Sequence, residues 1–109
     1  MPPPTQAQLL IGKWVLVRQS RTDGQTTNTA TLDNGYYVRE FTTDGRWLNY
    51  SGTRVNDTYP YSLANGVITI DASQPISHTI TSLTSTALVV TYPGQSTYTF
   101  TDTFVRATK

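Results

Sequence analysis

Cysteine is absent from the 109 residues. That excludes disulfide frameworks, thiol nucleophiles and cysteine-ligated metal at one stroke. Charge is scarce too: 14% of residues are Asp, Glu, Lys or Arg, and they sum to a formal +1. The eight basic residues are scattered rather than blocked, so neither a nucleic-acid footprint nor an anionic-membrane patch is expected. No run approaches the ~20 apolar residues of a spanning helix. A single histidine, His78, and no cysteine leave only carboxylates to complete a metal site, and no metal or other cofactor is expected. No serine stands in a nucleophile elbow and no glycine-rich phosphate loop occurs. Glu40 is assigned to an outward position, and Asp23, Asp44, Asp57 and Asp71 to turns or strand ends, where aspartate commonly serves turn chemistry. A binding role, not catalysis, is expected.

What is present is strand-forming. Thr is the commonest residue, and Tyr, Val and Ile recur throughout. Residues 1–8 read as a tail that opens on a Met1-Pro2-Pro3-Pro4 linker, and 9–109 as one β domain. That opening lacks the charged and apolar regions of an export signal. The lack of cysteine is compatible with a bacterial envelope protein without fixing a compartment, and a periplasmic, secreted or lipid-anchored location is expected, its export signal lying outside this sequence. Thr5 to Ile11 holds the only helix-friendly run, enough for one short turn.

From Lys13 onward strands are predicted over 13–20, 36–42, 46–51, 58–63, 67–71, 77–82, 87–92 and 97–106. Asp44-Gly45 and Asn65-Gly66 are two-residue hairpin signals, while Thr84-Ser85-Thr86 and Pro93-Gly94-Gln95 are three-residue links. Links this short make neighbours antiparallel. The fold expected is all-β: an eight-stranded antiparallel up-and-down barrel, since closure removes both exposed edges. A β-sandwich is the alternative, but it would need Greek-key crossings, and only the first connection is long.

Alternation then sorts the side chains. Inward positions are Trp14, Leu16 and Arg18; Tyr37, Arg39 and Phe41; Tyr59, Tyr61 and Leu63; Ile68 and Ile70; His78 and Ile80; Leu88, Val90 and Tyr92; and Tyr98, Phe100, Phe104 and Arg106. Trp47 and Leu48 compete for the interior on the third strand. With the Asp44-Gly45 and Asn65-Gly66 turns at the bottom, apolar residues gather low. Arg18, Tyr37, Tyr59, His78, Tyr92 and Tyr98 gather high. The longer links, Gln19 to Gly35 and Gly52 to Asp57, open at the top, and the first is long enough to act as a lid.

Gly12-Lys13-Trp14, opening the first strand, resembles the G-x-W signature of lipocalins. Arg106 resembles the basic residue that packs over that tryptophan. Phe41-Thr42-Thr43-Asp44-Gly45 is similar to short bacterial lipocalin-like domains. The resemblance implies a calycin-type barrel whose base is closed by Gly12, Trp14 and Arg106. It also implies a cup for a small apolar or amphiphilic molecule. The candidate ligand-binding residues are Arg18, Tyr37, Arg39, Tyr59, Tyr61, His78, Tyr92 and Tyr98. No acidic residue is assigned to the face of Arg18 and Arg39, so a ligand carboxylate is expected to answer them. The rival reading is a non-enzymatic interaction module, an inhibitor or envelope accessory, whose barrel is filled by its own tyrosines.

Overall fold

The computed structural model describes residues 5–31, 37–72, 76–94 and 98–107. Thr5 caps a short helix, α1 (Gln6–Leu10): its hydroxyl accepts from Gln8 N, and the Gln8 side chain accepts from Thr5 N. Nine strands follow among the described residues. They are β1 (Gly12–Thr22), β2 (Thr27–Thr31), β3 (Tyr37–Phe41), β4 (Arg46–Ser51) and β5 (Arg54–Ala64), then β6 (Val67–Ile70), β7 (Ile76–Leu83), β8 (Ala87–Pro93) and β9 (Thr99–Arg106). Every pairing is antiparallel and sequential from β3 to β9, and β9 returns to pair with β1 along its length. With β2 set aside, eight of the nine strands close a barrel. That closure excludes the sandwich.

β2 explains the ninth strand. β1 pairs with β3 through residues 12–15 and with β2 through residues 18–22, on the same edge. β2 and β3 are therefore two collinear pieces of one barrel position. The expected lid from Gln19 to Gly35 is thus corrected: Gln19 to Thr22 completes β1 and Thr27 to Thr31 folds back along it. A tight turn at Asp23 joins them, its carboxylate accepting from Gln25 N at 2.9 Å and Thr26 N at 2.8 Å. Those bonds hold Asp23 below its usual pKa. The rest of that segment lies outside the described residues. The expected link from Gly52 to Asp57 is also corrected, since β5 already begins at Arg54.

The turns follow their chemistry. Asn65 and Gly66 both have positive φ, 53° and 76°, as a type I′ hairpin requires. At Asp44-Gly45 only glycine does, at 86°. Thr42 N donates to Arg46 O, so Thr43 to Gly45 form a three-residue loop instead of the two-residue turn expected.

The core is low in the barrel: Leu10, Trp14, Leu16, Phe41, Ile68, Ile70, Leu88, Val90 and Phe104 are buried. The base is closed by polar contacts aimed at the end of α1. Trp14 Nε1 donates to Leu10 O at 2.8 Å, and Arg106 donates to Ile11 O at 2.6 Å and to Leu9 O. These satisfy carbonyls that a helix end leaves unpaired. The guanidinium meanwhile lies 3.9 Å from the Trp14 ring centroid. Gly12 is required here twice over. Its φ is +124°, and a Cβ would fall 2.5 Å from Arg106 Nη1.

Candidate functional site

Three β-bulges reset which side chains face the barrel interior, two of them in its upper half. On β1 the register jumps between Leu16 and Arg18, so Val17 is the extra residue and parity reverses above it. Arg18 turns outward and is exposed. Gln19 turns inward, and Arg18 is therefore corrected from interior to surface. On β5 the jump beside Asn49 and Tyr50 leaves Asn56 unpaired, and Asp57 comes to face Asn49 from within the strand, not from a turn. On β7 the break between Ile80 and Ser82 makes Thr81 the extra residue: His78 and Ile80 above it face inward opposite Ile68 and Val90, and Leu83 below it faces inward opposite Leu88.

The upper half is an open cup. A cavity of about 420 Å³ is lined by Arg39, Trp47, Asp57, Tyr59, Ile70, Ala72, Ile76, His78, Tyr92 and Asp102. A smaller void of about 40 Å³ continues below it among Arg39, Trp47, His78, Asp102 and the apolar core. Trp47, not Leu48, takes the interior and stacks on Tyr59, its register partner, with centroids 6.1 Å apart and planes at 17°.

Asp102 is the centre of the polar wall. It is 6% exposed, the one buried charged residue among those described. It belongs to the inward parity of Phe100 and Phe104, so the expectation that no acid shares the arginine face is overturned. Gln19 Nε2 donates to its Oδ1 at 3.0 Å and the Tyr92 hydroxyl to its Oδ2 at 2.9 Å. Burial still raises its pKa, against the opposing pull of those two bonds and of Arg39. Tyr92 is pushed up in turn, by burial first and then by the Asp102 charge. Arg39 is lowered by burial, with Asp102 its strongest compensating charge. Its guanidinium donates to Val38 O at 3.3 Å.

His78 packs on Tyr92, ring centroids 4.4 Å apart. Its Nδ1 is buried without a hydrogen-bond partner among the described residues. Burial, with Arg39 nearby, pulls its pKa down to about 4, so the ring is neutral at neutral pH.

The candidate residues thus divide. Arg39, Tyr59, His78 and Tyr92 converge on the cup. Tyr37 is 38% exposed at the start of β3. Tyr61 sits lower, edge-on to Phe41 with its hydroxyl donating to Thr42 O, and Tyr98 lies under Arg21 at 4.7 Å; neither lines the cup. Trp47, Asp57, Ile70, Ala72, Ile76 and Asp102 complete the lining, with Gln19 supporting Asp102 by its hydrogen bond, and none of these was among the candidates. Among the described residues no three His, Cys, Asp or Glu side chains are placed to hold a metal ion. No helix among them is long and apolar enough to cross a membrane.

No protein family and no curated protein matches the chain. Among solved structures it is similar to a deswapped triple mutant of bovine odorant binding protein. Identity is 19% and the TM-score 0.47, over 93% of this chain and 76% of that one. The architecture is that of a lipocalin-like β-barrel, carried by the closing β1–β9 pairing, the sequential meander and the Arg106-capped Trp14 at its base.

Proposed function

We propose that the chain binds a small amphiphilic molecule in the cup, with its apolar part against Trp47, Tyr59, Ile70 and Ile76 and its polar part toward the group formed by Arg39, Asp57, Tyr92 and Asp102. The supporting observation is the cavity itself. At about 420 Å³ it lies within the ~300–1,000 Å³ of small-molecule sites, which pair an apolar lining with a few convergent polar groups. A barrel filled by its own tyrosines would leave no such space, so the cup favours this reading over the interaction module.

Trp47 is the natural reporter, because Trp14 is fully buried at the opposite end. Titration with the neutral apolar probe N-phenylnaphthylamine should change Trp47 emission and raise Tm. At a hundredfold excess over Kd the gain is about 2.7 kcal/mol, several degrees for a domain of this size. No emission change and no thermal shift, with this probe or a panel of retinoids and fatty alcohols, overturns the proposal.

A further inference from the structure

The charges lining the cup do not balance. Arg39 is the single cation among the described lining residues, against two carboxylates, Asp57 and Asp102. Asp102 is the strongest attraction on Arg39 and is further held by Gln19 and Tyr92. His78 contributes no charge near neutral pH, and Tyr59 and Tyr92 contribute only hydroxyls. Asp57 is left over. Its Oδ2 accepts from the uncharged Asn49 amide at 3.2 Å, which leaves its other oxygen for a donor from the cup.

Asp57 also stands in a particular place. The Asn49–Asp57 rung is directly above the Trp47–Tyr59 rung on the same two strands. Two residues along a strand span about 7 Å. A carboxylate therefore sits a short alkyl arm away from a stacked aromatic pair, whose π faces themselves attract cations. An anionic head would instead meet a surplus of negative charge in a partly desolvated site.

Building on the ligand-binding reading above, we propose that the cup is selective for an aryl-alkyl amine: a protonated ammonium head on Asp57, with its aromatic body against Trp47 and Tyr59. Asp102 answers Arg39 from within the wall, so Arg39 needs no carboxylate from the ligand.

Three probes share one indole body and differ in the head: tryptamine, tryptophol and indoleacetate. Each is titrated against protein loaded with N-phenylnaphthylamine, and displacement is read by loss of probe fluorescence. Tryptamine should displace at about a tenfold lower concentration than indoleacetate, equivalent to ~1.4 kcal/mol, with tryptophol between them. Asp57→Asn should collapse the difference to within about twofold. Indoleacetate competing as well as tryptamine overturns the amine assignment while leaving a ligand-binding cup. So does tryptophol matching tryptamine, or a preference that survives Asp57→Asn. The wild-type comparison decides the sign even if the variant folds poorly. Failure of N-phenylnaphthylamine to bind at all removes the cup, and the amine with it.

Discussion

The two ends of the barrel use the same ingredients to opposite effect. At the base, one cation, one aromatic ring and one helix end satisfy each other: Arg106 covers Trp14, and between them they take the carbonyls of Leu9, Leu10 and Ile11. At the mouth, Arg39, Asp102, His78 and Trp47 border open space, and one buried ring nitrogen has no partner among the described residues. Buried polar groups normally find partners. A base that meets that rule is built for stability. A mouth that relaxes it holds groups ready for something else.

The largest expected effects therefore lie at the base. Trp14→Ala removes a fully buried indole and should cost ~3–5 kcal/mol, a large part of the ~5–15 kcal/mol holding a typical domain together. Gly12→Ala should follow at about 2–3 kcal/mol, because the backbone is held at φ +124° and the new Cβ meets Arg106. Chemical denaturation of both variants measures this. A Gly12→Ala protein as stable as the parent would mean that the base is not the tight closure described.

At the mouth the expected signature is dependence on pH. The folded-state pKa of His78 is pulled from 6.5 to about 4, so between those values the unfolded chain binds the proton more readily. Stability due to the neutral ring is complete above pH 6.5 and is lost as pH falls toward 4. At 1.36 kcal/mol per unit the full loss is about 3 kcal/mol. Asp102, raised by burial, acts in the opposite sense: its contribution is full at low pH and is lost as pH rises from 3.8 through its folded value. His78→Gln should flatten the Tm profile between pH 4 and 6.5. An unchanged profile would show that the ring is solvated and chargeable in place.

Trp47→Ala should divide the two ends most cleanly. Trp47 is half-buried and borders the cavity, so its loss should cost less stability than Trp14→Ala while weakening N-phenylnaphthylamine binding by about tenfold, ~1.4 kcal/mol. Equal losses of stability from the two tryptophans would erase the distinction between plug and cup.

How much of this was legible depended on local signals. The meander was readable because Asn65-Gly66 and Thr84-Ser85-Thr86 mark short links, and the base because Trp14, Phe41, Leu88 and Phe104 share parity with the core. Asp102 was equally legible, being two residues from both Phe100 and Phe104. Asp57 required β5 to extend back to Arg54, directly after the turn at Gly52, whose φ is +64°, whereas Gly52 to Asp57 reads in sequence as one longer polar link. Gln19 was not legible, since nothing in Leu16-Val17-Arg18 announces a bulge. The register jump comes from β1 serving β9 along one edge while dividing the other between β3 and β2.

That bulge supports the smallest prediction. If β1 kept simple alternation, Arg18 would face the cup and Gln19 the solvent. With Val17 as the extra residue, Arg18 is exposed and Gln19 holds Asp102 at 3.0 Å. Arg18→Ala should change stability by no more than ~0.5 kcal/mol and leave probe affinity unchanged. Gln19→Ala removes a bond to a buried carboxylate and should cost about 1–3 kcal/mol. The order of the two losses fixes the register without a ligand. If Arg18→Ala is the more costly, β1 alternates unbroken and the polar wall of the cup has to be redrawn around an inward arginine.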